Sequence, residues 1–126
     1  LAQDHFRGAA DVTISHPRFL EFVAPGVSKG RAIHFLARRL RIPLGSVLAI
    51  GDQWNDLEML AVAGHGTAMP SAPGGVRAVA RYIAPPLEEE GAGRMIEMLA
   101  LADPAEAQAA SRRMAAEAIE QRSVPA

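Results

Sequence analysis

The chain alternates short apolar runs with longer amphipathic stretches, and that rhythm predicts its elements. Val12-Thr13-Ile14-Ser15 and Phe19-Leu20-Glu21-Phe22-Val23 are β-prone runs separated by His16-Pro17-Arg18, a pattern that predicts a hairpin. Two strands are marginal alone, so the hairpin needs something to pack against. Pro25-Gly26 then breaks the pattern and is a candidate hinge between domains. Ser28 can cap a helix whose Ile33, Leu36, Ala37 and Leu40 recur at the spacing of one buried face, and Pro43 stops it. Val47-Leu48-Ala49-Ile50 is a continuous apolar run and reads as a buried strand.

A helix over 55–63 follows, with Leu57, Leu60 and Ala61 inward and Gly64 at its end. Residues 66–69 predict a strand. Gly74-Gly75 opens a helix with Val76, Val79 and Ala80 inward, and Tyr82-Ile83-Ala84 is a strand cut off by Pro85-Pro86. Residues 91–101 predict a helix facing inward through Met95, Ile96 and Leu99. The alternation of helix and strand from Ser28 onward predicts an α/β fold, a parallel sheet covered by helices. Asp103 and Pro104 suit the start of a last helix, rich in Ala, Glu, Gln and Arg. Only Met114 and Ile119 are large and apolar there, so that helix is expected to lie exposed or loosely docked.

Composition narrows the function classes. A length of 126 residues allows one domain with a core. A net charge of −1 lacks the basic excess of a nucleic-acid binder. No apolar run approaches the length of a membrane span. The absence of cysteine excludes disulfides, thiolate metal sites and a cysteine nucleophile, and fits a cytoplasmic protein. The chain starts at Leu1 without a signal pattern and is expected to be a piece of a longer protein. Of its 13 basic side chains only Lys29 is a lysine, which marks a place for a compact ammonium rather than a planar fork.

The candidate chemistry sits in Gly51-Asp52-Gln53-Trp54-Asn55-Asp56, where a strand ends and a helix begins. Open α/β sheets bind ligands at that edge. Asp52 and Asp56 held close together repel, and a hard divalent cation would neutralise them. Magnesium suits the task because it takes one or two carboxylates and keeps water and phosphate oxygens as its other ligands. The N–H groups of the new helix favour an anion. The plainer alternative makes Asp52 a loop or cap residue and Asp56 a first-turn acid. Lys29, in the first turn of its helix, opposes the helix dipole, and at the same sheet edge it could hold a phosphate. Arg31 bears the same mild penalty and carries no assigned role. His16, at the hairpin turn, could face a substrate, His34 lies on the polar side of its helix, and Trp54 is expected to pack.

Gly26-Val27-Ser28-Lys29-Gly30-Arg31-Ala32, followed by Val47-Leu48-Ala49-Ile50-Gly51-Asp52-Gln53-Trp54-Asn55-Asp56-Leu57-Glu58-Met59-Leu60, resembles the haloacid dehalogenase (HAD) superfamily, and within it the Cof-type sugar-phosphate phosphatases. The similarity continues through Ala63-Gly64-His65-Gly66-Thr67-Ala68-Met69 and on to Glu90-Gly91, covering roughly residues 12 to 100. The resemblance implies a Rossmann-type parallel sheet with flanking helices, here the C-terminal half of a core, plus the remnant of an α/β cap. Residues 1–25 would end the cap, 26–101 would belong to the core, and 102–126 would form a C-terminal helix. It further implies Mg²⁺-dependent hydrolysis of a small phosphorylated metabolite through a phospho-aspartate. Asp52 maps to the metal ligand and Asp56 to the second acid, which supports or joins the metal shell. Asn55 maps to the amide that contacts phosphate. Lys29 maps to the lysine that binds phosphate and stabilises the nucleophile.

The family's Asp-x-Asp nucleophile motif and its Ser/Thr phosphate motif do not occur in this chain, which is therefore expected to be inactive alone. Met69-Pro70-Ser71-Ala72 also departs from the Gly-Asn usual before that Ala, and Pro70 removes an N–H from the loop. Two other readings stand beside the hydrolase. One is a non-catalytic module that binds phosphate or a partner, with an exposed sheet edge favouring self-association. The other is a phosphotransferase resembling the phosphomannomutases. Neither nucleic acid nor membrane is an expected partner.

Overall fold

A computed structural model describes residues 2–123, so the last three residues of the predicted C-terminal helix, 124–126, and Leu1 lie outside the described residues. A short helix α1 (Ala2–His5) leads into the hairpin β1 (Asp11–His16) and β2 (Phe19–Val23). The strands are antiparallel, with Thr13 opposite Glu21 and Val12 opposite Phe22, and a bulge between Ile14 and His16 lets the chain turn. Phe6 meets Phe22 edge-on at 4.9 Å and ties α1 to the hairpin.

Gly26, at φ 77°, makes the corner between hairpin and core, a conformation that disfavours any side chain. Its N–H donates to Asp11 Oδ2 at 2.6 Å and its carbonyl accepts from the Arg31 guanidinium at 2.8 Å, so the corner is fastened on both sides. Helix α2 (Lys29–Leu40) begins at Ser28, whose hydroxyl accepts from the Arg31 N–H at 3.1 Å, and ends on Arg41 in the left-handed conformation. Its inward side is built on Gly30, Ile33 and Ala37. The expectation that Leu36 and Leu40 share the buried face does not hold, since both lie largely exposed. Helix α2 packs on the next helix, where Gly30 lies close against the Glu58 side chain and Ala37 is buried.

The core sheet contains β3 (Leu48–Gly51), β4 (His65–Ala68) and β5 (Tyr82–Ile83), in that order and all parallel. Strand β3 pairs Leu48 with His65 and Gly51 with Ala68, which brings the two carboxyl ends level. Helix α3 (Leu57–Val62) follows β3 through a 3-10 turn over Trp54–Asp56, and α4 (Gly74–Val79) joins β4 to β5. Alternation along the strands divides the core. Ala49 and Ala68 face Leu60, Ala63, Val76 and Ala80 on one side of the sheet. Ile50, Met69 and Tyr82 face Met95, Ala110 and Met114 on the other. Of the residues expected to face inward on α3 and α4, Leu60, Val76 and Ala80 do so, while Ala61 and Val79 are exposed.

Beyond β5, α5 (Gly91–Ile96) runs into a π-helical turn over Glu97–Leu101, and α6 (Pro104–Ser123) completes the chain. Helix α6 is not loosely held. Ala110, Met114 and Ala118, one turn apart, are all buried, and Ser111 beside them is buried as well. Alanine lets the helix approach the sheet closely, which a count of large apolar residues does not register. A polar chain reinforces the contact: His65 Nδ1 and Tyr82 Oη lie 2.9 Å apart, and Tyr82 Oη and Ser111 Oγ 2.6 Å apart. Arg122 also reaches the Ala80 carbonyl.

Tyr82→Phe should destabilise the chain by about 1–3 kcal/mol by leaving buried Ser111 and half-buried His65 without that partner, read as a lower urea midpoint. Acid should act on the same contact. Burial, and then the nearby Arg81 charge, hold His65 below its ordinary value of 6.5. An unfolded chain binds the proton near that value and the folded chain only at lower pH, so stability should fall as pH drops below 6.5 and then level off. Urea midpoints across pH, with His65→Gln as the control that flattens this step, would check it.

Candidate active site

The carboxyl end of β3 is organised around one side chain. Asp56, at the end of the 3-10 turn, is 4% exposed. Its Oδ2 accepts from the Asp52 N–H at 2.9 Å and the Gln53 N–H at 3.1 Å, which folds the loop back on itself. Its Oδ1 accepts from the Lys29 ammonium, an ion pair linking the start of α2 to a loop 27 residues away. Burial alone would push the Asp56 carboxyl up, but the Lys29 ammonium and the two backbone N–H groups outweigh it and hold it below the ordinary carboxylate range. The loop can close this tightly because residue 51 is glycine: a Cβ there would lie 2.5 Å from the Asp56 Cβ.

The structure therefore brings Lys29 and Asp56 into contact and places the Asp52 backbone against the same carboxylate. The Asp52 side chain is exposed and forms no hydrogen bond or ion pair within the described residues, so its carboxylate is available to a ligand. Asn55 is partly buried, and its Oδ1 is buried without a hydrogen-bond partner. Lys29 and Asn55 line a cleft of about 350 Å³ together with Thr13 and Glu21 of the hairpin, with Val23 and Val27 as apolar wall. Among the described residues no three His, Cys, Asp or Glu side chains converge as a metal cage. A divalent ion here would draw on the free Asp52 carboxylate and on the one acceptor position that Asp56 Oδ1 keeps, with water and phosphate completing the shell. That sparse donor set fits magnesium, which binds through one or two carboxylates and a substrate phosphate.

Other sequence candidates fall elsewhere. His16 turns back on its own hairpin, where its Nδ1 accepts from the Arg18 N–H at 3.2 Å and its ring leans on Phe19; it does not line the cleft. Trp54 packs, as expected, with its ring against Gly75 and beside Val12, Ile14 and Leu20, although it stays half-exposed. His34 is exposed on α2. Sequence reasoning passed over Thr13 and Glu21. Their signal was the period-2 alternation of the hairpin, which sets both on one face once the strand register is known.

Comparison with known proteins adds a family. The model of haloacid dehalogenase-like hydrolases matches residues 2–96. A protein described as a putative phosphatase from Haemophilus influenzae is 35% identical over 83 residues, which are 66% of this chain and 32% of that protein. The structure of a haloacid dehalogenase-like hydrolase from Bacillus subtilis superposes with a TM-score of 0.70 at 31% identity, covering 78% of this chain and 35% of the other. A sugar phosphatase of HAD subclass IIB superposes with a TM-score of 0.64 at 31% identity, covering 70% of this chain and 34% of that one. The chain thus spans about a third of the length of these relatives.

Asp56→Asn should lower stability by about 1–3 kcal/mol, because an amide cannot replace the charged acceptor shared by two N–H groups and an ammonium. Lys29→Met should cost at least as much, since it leaves the enclosed Asp56 carboxylate charged and without its cation. Lower urea midpoints for both variants would check these losses.

Proposed function

Because the chain belongs to the haloacid dehalogenase-like hydrolases, we propose that the protein carrying it is a Mg²⁺-dependent phosphatase of the Cof type, acting on a small, sugar-phosphate-like ester. The observation that carries this reading is the meeting of Lys29, Asp56 and Asn55 at the carboxyl end of β3, beside an unpaired Asp52 carboxylate. Likeness to a sugar phosphatase supports the substrate class.

In this reading each residue has a distinct task. The Lys29 ammonium binds the phosphate and offsets charge that builds on the transferring group, and the Asn55 amide orients it. Asp56 holds Lys29 and the loop in place and supports the metal shell. Asp52 holds Mg²⁺ directly, and the ion, when bound, neutralises phosphoryl oxygens. The nucleophilic aspartate comes from a part of the protein outside this chain, since no Asp-x-Asp occurs within it. Residues 1–25 then belong to a cap, 26–101 to the core, and 102–126 to an appended helix. Strands β3 and β5 each keep one free edge among the described residues, and a neighbouring strand, from the same protein or a second copy, can add there. The described residues contain no helix long and apolar enough to cross a membrane. The lack of cysteine suits a cytoplasmic setting.

A phosphotransferase resembling the phosphomannomutases would use the same residues, and adding an acceptor sugar separates the two by whether phosphate moves to it or to water. A non-catalytic module would bind phosphate without turnover. In the full-length protein, Asp52→Asn should abolish phosphate release and Lys29→Ala should cost about 10²–10³ in rate. The 126-residue chain by itself should release none. Near-normal turnover by the Asp52→Asn enzyme would refute the metal assignment, and steady Mg²⁺-dependent turnover by the isolated chain would refute the external nucleophile.

A further inference from the structure

The cleft beside Lys29 extends past the residues that phosphate chemistry needs. Its remaining polar lining is Ser28, whose hydroxyl oxygen is engaged in capping α2, and the hairpin pair Thr13 and Glu21, which are direct cross-strand partners and share one face. Glu21 makes no hydrogen bond or ion pair within the described residues, and neither does the Thr13 hydroxyl. Among the described residues no other group engages these two side chains. The neighbouring wall is Val23, Val27 and Ala32, which offers no side-chain donor or acceptor.

The hairpin is also held in place over the cleft. Asp11, on the same face as Thr13, accepts from the Gly26 N–H, and Arg31 of α2 grips the Gly26 carbonyl. Trp54, one residue from Asn55, packs against β1. The positions of Thr13 and Glu21 relative to Lys29 are thus set by contacts on both sides of the cleft.

We propose that Thr13 and Glu21 select the group esterified to the phosphate, accepting one that presents hydroxyl or amine donors and refusing one that carries a carboxylate. The inference rests on the phosphatase reading above. With phosphate at Lys29, the rest of the ester reaches toward the hairpin. A carboxylate accepts hydrogen bonds and donates none, so Glu21 needs donors from its ligand, and the Thr13 hydroxyl can supply or accept one beside it. A second carboxylate brought into the same cleft would face like charge and leave Glu21 without a donor.

The test uses the full-length protein with four esters: p-nitrophenyl phosphate, glucose 6-phosphate, glucosamine 6-phosphate and phosphoglycolate. The wild type should prefer both sugar esters to phosphoglycolate by at least about tenfold in kcat/KM. Glu21→Gln should shrink that preference by about tenfold, mainly through KM, and most for the amine-bearing sugar. Thr13→Val should act in the same direction on both sugars. A wild-type preference for phosphoglycolate, or a loss shared equally by all four esters in both variants, would overturn the proposal while leaving the phosphatase reading intact. No turnover of any of the four by the wild type would sink the phosphatase reading and this inference with it.

Discussion

The buried carboxylate of Asp56 is the point on which the rest of the site depends. A charged group this enclosed is tolerated only when its acceptor positions are filled. Two backbone N–H groups and one ammonium fill three of them. Each of these bonds positions something else. The N–H bonds curl the loop so that the Asp52 side chain projects outward, and the ammonium fixes the start of α2 against the end of β3. The pair joins segments far apart in sequence, so the site forms only when the core has formed. Its contribution to stability is modest because Lys29 remains half in water, and its larger effect is geometric.

That geometry depends in turn on small residues. Gly51 leaves room for the Asp56 side chain, and Gly30 and Ala37 let α2 settle on α3. The same economy recurs across the sheet, where Ala49 of β3, Ala68 of β4, Ala80 just past α4 and Ala110 of α6 are all buried. Close backbone approach makes the sheet–helix contacts tight without bulky side chains. Several large apolar residues, among them Phe19, Phe35, Leu40 and Leu101, are left on the surface instead. Helix α6 adds a polar device to this packing, since the chain from His65 through Tyr82 to Ser111 satisfies buried groups on three elements together.

The hairpin brings a different kind of chemistry to the core. Its outer side is apolar and meets α1 and Trp54, while its inner side carries Thr13 and Glu21 toward the cleft. The core thus supplies a cation and an amide, and the hairpin supplies a hydroxyl and a carboxylate. In the proposed reading, this division lets a phosphate-binding half from the core work with a recognition half from the hairpin.

The sequence alone determined the alternation of helix and strand, the hairpin, the cap of α2 at Ser28 and the identity of the loop at residues 51–56. These follow from local spacing and from backbone preferences of Gly, Pro and Ser, which act over a few residues. It also singled out Asp52, Asn55 and Asp56, because a strand end that leads into a helix is a ligand edge, and Lys29, because a cation in a first helical turn opposes the dipole. Tertiary structure decided what those residues do to one another: Asp56 turned inward to bind Lys29, and Asp52 was left open. It also decided that Leu36 and Leu40 lie outside while Ala110, Met114 and Ala118 lie inside, and that Glu21 faces the cleft. Burial and register arise from how elements meet across long sequence separations, and no local pattern of apolar and polar residues encodes that distance.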